Sequence, residues 1–212
     1  MGLQYSITAI GSMIMQSANN SLGTVYVSAF TAGVKIKLFL LCPFDALATA
    51  VSTFVSQNYG AKKEDRIKEG LLKGTYVGVA YGVLAGIFMI LFGKVLSTLF
   101  ITGDETVLSA ADLYLRRAGY AWWLLGILNV VRMSIQGLGY AMRAIYCGVV
   151  EMICRTAVCV FLVADFGFNA ITWADQSAWL GAVLYLIPVT IITMRDISEQ
   201  IHNEANADIL MK

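Results

Sequence analysis

Three charged residues, Arg132, Glu151 and Arg155, lie inside long apolar stretches of this sequence. Glu151 and Arg155 are four residues apart, so a helix would place them on one face. In a low dielectric, a carboxylate beside guanidinium groups can brace two helices as an ion pair, or it can bind a charged ligand or a proton directly. The pattern favours the brace, and a brace that rearranges would combine both roles.

The spacing of Arg132 and Glu151 predicts that they meet across two helices. Arg132 lies nine residues before Ala141, and Glu151 lies ten residues after it. If two antiparallel helices turn near Ala141, both side chains lie about 14 Å from the turn, at a rise of about 1.5 Å per residue. We therefore expect the Glu151 carboxylate between the guanidinium groups of Arg132 and Arg155.

The composition indicates that the elements carrying these charges cross a membrane. Of the 212 residues, 58% are hydrophobic and only 14% are charged, whereas a soluble domain carries roughly 25% charged residues. A bilayer-crossing helix needs about 20 apolar residues, so the chain has room for roughly six crossings. Fifteen basic against 14 acidic side chains argue against a nucleic-acid partner. No cysteine pair has the spacing of a zinc site, so no metal or cofactor is expected.

The apolar runs predict an all-α, six-helix transmembrane bundle over residues 1–194, followed by a solvated cytoplasmic tail at 195–212. Basic residues concentrate at 61–68, and Arg143 and Arg195 are expected at the same end. The positive-inside rule places this end and both termini in the cytoplasm. The predicted helices span about 3–21, 25–56, 68–100, 113–136, 143–164 and 172–193.

Asp45 lies just after Pro43, where a proline would kink the helix and free backbone carbonyls. Those carbonyls and the Asp45 carboxylate could hold a proton or a cation. Equally, Asp45 could pair with a nearby lysine or with backbone amides. The presence of Lys35 and Lys37 in this apolar helix is explained if their long side chains extend to the membrane interface.

Five glycines of the third predicted helix recur every fourth residue and predict a seam where a second helix packs closely. Several aromatic residues could line an apolar cavity, although packing is the better explanation for most of them. The glycines are Gly70, Gly74, Gly78, Gly82 and Gly86, and the aromatic residues are Tyr5, Phe30, Tyr76, Trp122 and Trp123.

Residues 56–63 read Ser-Gln-Asn-Tyr-Gly-Ala-Lys-Lys, and 65–67 read Asp-Arg-Ile. This stretch resembles the loop after the eighth helix of multidrug and toxic compound extrusion (MATE) transporters. Further segments agree in order and spacing: Gly-Leu-Gln-Tyr at 2–5 with Ala-Ile-Gly-Ser at 9–12, Gln-Gly-Leu-Gly at 136–139, and Trp-Ala-Asp at 173–175 with Ala-Trp at 178–179. Four such segments in register cover nearly the whole chain.

The resemblance implies the C-terminal six-helix lobe of a twelve-helix antiporter in the cell inner (plasma) membrane. Such a protein is not an enzyme. It would export small organic compounds, often cationic, in exchange for protons or sodium ions, by rocking two lobes around a central cavity. The partners would be the substrate, the bilayer and a missing N-terminal lobe or a second copy. The start at Met1, with no lead before the first span, fits a truncated reading frame.

The chain departs from the family at its expected cation site. Family members that bind a cation in this lobe carry acidic residues in two helices, whereas the corresponding spans here offer only amides and one arginine. That departure shifts the coupling role toward Asp45 or the other lobe. The amides and the arginine are Gln16, Asn19, Asn20, Asn129 and Arg132.

Three alternatives remain beside the antiporter. A lipid-linked saccharide flippase would need a larger and more cationic cavity to hold phosphates. A fragment without activity is possible. An intramembrane hydrolase is disfavoured because the predicted spans contain no histidine and no GxSxG element. The candidate transport and coupling residues are Asp45, Lys35, Asn129, Arg132, Glu151 and Arg155.

Overall fold

A computed structural model describes the backbone of residues 2–210 and the side chains of residues 6–204. This part of the chain is helical, which confirms the predicted all-α class. Five of its helices, α2, α3, α4, α5 and α7, have the length and apolar composition of membrane-crossing helices. The helices are α1 (Gly2–Asn20), α2 (Thr24–Gly60), α3 (Glu64–Ser97), α4 (Glu105–Gly137), α5 (Ala141–Phe161), the single turn α6 (Val163–Phe166) and α7 (Phe168–Leu210).

Helix α4 begins eight residues earlier than the apolar pattern predicts, because Asp104 caps it. The Asp104 carboxylate accepts hydrogen bonds from the backbone N–H groups of Thr106 (2.9 Å) and Val107 (3.3 Å). These bonds satisfy donors that have no partner within the first turn of a helix. The charged residues of that turn are therefore helical. Because they are charged, the apolar pattern does not include them and predicts a later start for α4.

Helix α2 stays helical through Pro43 from Thr24 to Gly60. An unwound segment with freed carbonyls beside Asp45 is therefore wrong, whereas the kink expected near Pro43 stays a prediction. Membrane helices tolerate proline where neighbouring helices and local adjustments compensate for the lost backbone bond.

The predicted glycine seam is confirmed and joins α3 mainly to α4. A Cβ atom added at Gly78 would lie 3.0 Å from the carbonyl oxygen of Gly126, and one added at Gly82 would lie 2.6 Å from the Cα of Trp123. Gly86 faces Gly119 in the same way. Closer to its start, α3 packs Gly70 and Gly74 against side chains of α2. Small residues let two backbones approach more closely than side chains would allow.

Buried aromatic rings tie α2, α3, α4 and α7 together around Trp122. The Trp122 ring meets Trp179 edge-on, with centroids 5.6 Å apart, and lies 6.2 Å from Phe44. Phe44 in turn packs edge-on against Tyr81 at 4.9 Å. Such tilted and edge-to-face pairs are favoured by the ring quadrupoles.

The polar segment after Arg195 is not simply solvated, as was expected, because α7 continues through it and packs on the bundle. Ile197 is fully buried in a cluster with Val55 and Ile67. Ser198 donates a hydrogen bond of 3.0 Å to Glu64, and Lys62 pairs with Glu204 at 3.1 Å. The prediction that this segment is cytoplasmic stays a prediction.

Charged residues at the helix ends and in the loops form two groups, one at each end of the bundle. Arg143 binds Asp196 at 2.5 Å, close to where Ser198 meets Glu64. At the other end, Arg117 binds Thr172 at 2.5 Å. The grouping of residues 61–68 with Arg143 and the start of the tail agrees with the sequence pattern, and the side of the membrane on which they lie stays a prediction.

Candidate functional site

A cavity of about 270 Å³ opens among five helices, α1, α2, α4, α5 and α7, while α3 packs outside it. Its wall combines apolar and aromatic side chains with a concentration of charge that is rare inside a membrane bundle. The polar lining consists of Thr8, Ser12, Gln16, Lys37, Tyr114, Asn129, Arg132, Glu151, Arg155 and Asp175.

One side of the cavity holds a buried cluster centred on Asp175 of α7, which is 4% exposed. Its carboxylate accepts hydrogen bonds from Lys37 of α2 and from the Tyr114 hydroxyl of α4 at 3.0 Å. It also forms an ion pair with Arg155 Nη2 of α5 at 3.0 Å. Lys37 also contacts the Tyr114 hydroxyl oxygen at 2.6 Å. Two cations share one carboxylate, so this cluster carries one net positive charge.

The other side of the cavity holds the Arg132–Glu151 pair that the sequence predicts. Arg132 Nη1 of α4 lies 2.8 Å from Glu151 Oε1 of α5, and Arg132 Nη2 donates to the Asn129 amide oxygen at 2.9 Å. The expected depth match between the two helices is therefore confirmed. Glu151 is almost fully buried, so removal of its charge would leave Arg132 without its counter-ion in a low dielectric.

The expectation that Arg155 also pairs with Glu151 is wrong. Arg155 lies one turn further along α5 and reaches across to Asp175 of α7. The physical reason is that α5 packs against α7 as well as against α1 and α4. A long side chain on a helix with several neighbours can find its counter-ion on any of them.

The two lysines of α2 have different environments, although both were expected to reach the interface. Lys35 is exposed, and its ammonium group lies 5.6 Å from the centre of the Phe100 ring. Lys37, two residues later, turns inward and pairs with Asp175, so the interfacial interpretation is wrong for it. Two residues along a helix correspond to about 200° of rotation, which separates the inner face from the outer one.

Asp45 lies outside the cavity wall and is exposed on α2. The expected partner of its carboxylate, a nearby lysine or a backbone amide, does not appear among the hydrogen bonds and ion pairs of the described residues. Among the aromatic candidates, Phe30 and Trp122 line the cavity, whereas Tyr76 and Trp123 are exposed on the outside. The side chain of Tyr5 lies outside the described residues.

The most connected residue of the site, Asp175, enters the sequence analysis only as part of the family-like segment at 173–175. A signal for its burial is nevertheless present, because Ile171, Ala178 and Ala182 flank it at helical spacing and are all fully buried. The pattern becomes visible once α7 begins at Phe168, since Asp175 then lies two turns inside the helix rather than in its first turn. Tyr114 and Trp179 were also missed as lining residues.

The carboxylates of the cavity come from α5 and α7, whereas the cation site implied by the sequence resemblance would require them on α1 and α4. Lys37, Arg132 and Arg155 outnumber Glu151 and Asp175, so the lining carries one excess positive charge. The cavity can therefore bind a polar or charged small molecule whose apolar part rests against Phe30, Trp122 and Trp179.

Comparisons with known proteins agree with this architecture. The probable multidrug resistance protein YpnP of Bacillus subtilis is 26% identical over 180 residues, which are 85% of this chain and 37% of that protein. A FAD transporter of Shewanella oneidensis is 28% identical over 141 residues, 66% of this chain and 30% of that protein. This chain thus spans less than half the length of the curated relatives it matches.

The crystal structure of the Vibrio cholerae MATE transporter VcmN in its bent form superposes with a TM-score of 0.82 at 16% identity, over 92% of this chain and 44% of that one. At that identity the similarity concerns the fold, which corresponds to one lobe of such a transporter. The sequence model of the MatE family matches residues 1–161. The chain therefore belongs to the MatE family, the multidrug and toxic compound extrusion transporters.

Proposed function

We propose that this chain forms one lobe of a secondary active transporter that exports small organic compounds in exchange for protons or sodium ions. The observation that carries the proposal is the cavity with paired charges inside a membrane-type helix bundle. Buried ion pairs are costly to maintain in a bilayer and are found where substrates or ions pass. Family membership supports a transporter and points away from an enzyme.

The second lobe is part of the proposal. In transporters built from repeats, the substrate site lies between two halves that rock against each other. A chain that spans less than half of its relatives would need another six-helix lobe, either in the same reading frame, in a separate chain or as a second copy. Six further spans encoded upstream of Met1 would support the first arrangement, and unrelated upstream DNA would support the other two.

An efflux assay tests the proposed activity. The chain, together with its second lobe, is expressed in a bacterial host that lacks its major drug pumps, and ethidium accumulation is followed by fluorescence. We expect lower accumulation than with empty vector. Collapse of the proton gradient, or removal of sodium, identifies the coupling ion because only the relevant gradient drives export. Uptake of FAD into inverted vesicles examines the compound that the Shewanella relative is named for.

Two charge-neutralising variants test the site assignment. Glu151→Gln is expected to slow efflux because it removes the carboxylate that pairs with Arg132 in the cavity. Asp45→Asn tests the coupling carboxylate that the sequence predicts on α2, and Glu105→Gln, an exposed member of a surface pair with Lys94, serves as the control. If both variants protect the host as well as the parent does, the site assignment is wrong. If the parent itself gives no export of either compound, the chain is an inactive lobe and the proposed function fails.

The flippase alternative is not favoured. The relatives reported above are named as a probable multidrug resistance protein and a FAD transporter, and neither name points to a flippase.

A further inference from the structure

The cavity wall presents a set of buried hydrogen-bond donors that have no partner among the described residues. They are Trp122 Nε1, Asn129 Nδ2, Arg132 Nε and Arg155 Nε and Nη1, and all five belong to residues that line the cavity. None of the lining residues has a buried acceptor that is unpaired in the same way. Among the described residues, the unpartnered buried polar atoms of the cavity lining are therefore all N–H donors.

The five donor atoms are buried, and three of the four residues that carry them are almost completely buried. Trp122 is 1% exposed, and Asn129 and Arg155 are each 4% exposed. A buried donor without an acceptor is unfavourable, because it has lost its hydrogen bonds to water and no protein hydrogen bond replaces them. A site that keeps several such donors together is complementary to a ligand rich in acceptor oxygens.

The charges of the wall have the same preference. Both carboxylates already have cationic partners, since Asp175 binds Lys37 and Arg155, and Glu151 binds Arg132. One positive charge is left over. An incoming cation would have to displace an arginine from its carboxylate, whereas an anion finds guanidinium N–H groups that are still free.

We propose that this cavity binds an anionic, acceptor-rich group, a carboxylate or a phosphate, with Arg155 and Asn129 as its main donors. Guanidinium groups match the planar oxygens of a carboxylate and the oxygens of a phosphate. The aromatic surfaces of Phe30, Trp122 and Trp179 then receive an apolar or ring-shaped remainder. Only the statement that this ligand is also transported rests on the proposed function.

This ligand class differs from the cationic compounds that the family resemblance implies. A compound with both charges could satisfy both expectations, with its anionic end in this lobe. A purely cationic compound would not match the donors of this wall.

Equilibrium binding tests the proposal without any transport step. The full 212-residue chain is purified and placed in phosphatidylcholine nanodiscs, and binding of radiolabelled benzoate is measured. Unlabelled phenyl phosphate and benzylammonium, which carry the same ring, are the competitors. We expect saturable benzoate binding, effective competition by phenyl phosphate, and competition by benzylammonium at least about tenfold weaker.

Asn129→Asp is the sharpest variant, because it changes one unpartnered donor into an acceptor and keeps the oxygen that binds Arg132. It should weaken benzoate binding about tenfold or more. Gln136→Glu is the matched control, an amide-to-acid change on the same helix outside the cavity, and should leave binding within about twofold. Should Asn129→Asp not elute as a single helical species, Asn129→Leu removes the same donor without adding charge.

The outcomes separate clearly. Benzylammonium that competes as well as benzoate, a folded Asn129 variant that binds benzoate like the parent, or a folded parent that binds neither anion would each overturn the proposal. The ranking of benzoate against phenyl phosphate identifies the preferred anion. Loss of benzoate binding in nanodiscs that contain phosphatidylglycerol, and not in phosphatidylcholine alone, would identify a lipid headgroup as the source of the same anionic chemistry. Because no gradient is applied, failure here leaves the antiport proposal to its own test.

Discussion

Helix α4 separates two regions of opposite character. On its outer face, Gly119 and Gly126 meet Gly86 and Gly78 of α3, backbone against backbone. On its inner face, long polar side chains keep a cavity open and leave donors unpaired. The seam obtains its stability from close approach, whereas the cavity keeps unsatisfied polar groups inside the bundle. The difference indicates that the seam is the rigid part of the lobe, and it is the reason for proposing the cavity as the ligand site.

Loss of the Asp175 charge should be the most damaging single change. Asp175→Asn leaves Lys37 and Arg155 without their shared counter-ion, and breaking a buried pair costs about 3–5 kcal/mol. We expect a strongly lowered thermal midpoint in detergent. Glu199→Gln, which breaks an exposed pair with Arg195, is the control and should leave the thermal midpoint nearly unchanged, because solvent screens such a pair. Equal midpoints for the two variants would mean that the cluster contributes no more than a surface pair.

The seam should be the next most sensitive region. Gly82→Ala places a Cβ atom 2.6 Å from the Cα of Trp123, a backbone atom that cannot rotate away. The resulting overpacking should destabilise the lobe by about 3 kcal/mol. Gly60→Ala is the control, since nothing lies within 4 Å of its Cβ position. Thermal unfolding of both variants in the same detergent measures the difference, and a neutral Gly82→Ala would contradict the close packing of α3 on α4.

Glu151→Gln should separate stability from ligand binding. The variant removes the counter-ion of Arg132 and should lower stability by about 2 kcal/mol, less than for Asp175 because Arg132 is partly exposed. The same change frees a guanidinium and removes a negative charge from the wall, so benzoate should bind severalfold more tightly. Glu69→Gln on the exposed surface should change neither quantity. Weaker benzoate binding in folded Glu151→Gln would mean that the carboxylate helps to hold the anion.

Gly11→Ala should have the smallest effect and should act on binding. Its Cβ would lie 3.3 Å from Arg155 Nη1, one of the unpartnered donors, and also 3.3 Å from the Cα of Met152, so the flexible guanidinium is the group that moves. A displaced guanidinium should reduce benzoate affinity about twofold to threefold, with stability changed by less than about 1 kcal/mol. Ser17→Ala, an exposed position on the same helix, is the control. An unchanged affinity would remove Nη1 from the proposed set of donors.

Several features were readable from the sequence because they depend on local spacing. The every-fourth-residue glycines of α3 define one face of a helix whatever surrounds it. Arg132 and Glu151 lie at equal distances from a short turn, so two antiparallel helices bring them together. Asp104 is a residue type that commonly caps helices, so the start of α4 could also have been predicted. The charged residues after it placed the predicted start later, in the apolar run.

The other half of the site could not be read in the same way. Asp175 and Lys37 are separated by 138 residues, and their contact depends on how α2 and α7 pack around the cavity. Arg155 has a plausible partner one turn away on α5, Glu151, but it pairs with Asp175 of α7, which is more distant in the sequence. Charge types and helical faces do not rank such partners, because each ion pair depends on the depth and rotation of two helices.

The amino-acid order alone determined an apolar, all-helical membrane lobe, its family and the ridge on which two backbones touch, since these follow from composition and from periodicity along one chain. Only the tertiary structure decided that five helices surround a cavity and that several buried N–H donors of its lining residues have no acceptor among the described residues. The reason is that hydrogen-bond satisfaction is a property of neighbours in space. An arginine in the sequence carries five N–H groups, and only the packed bundle determines how many of them find an acceptor.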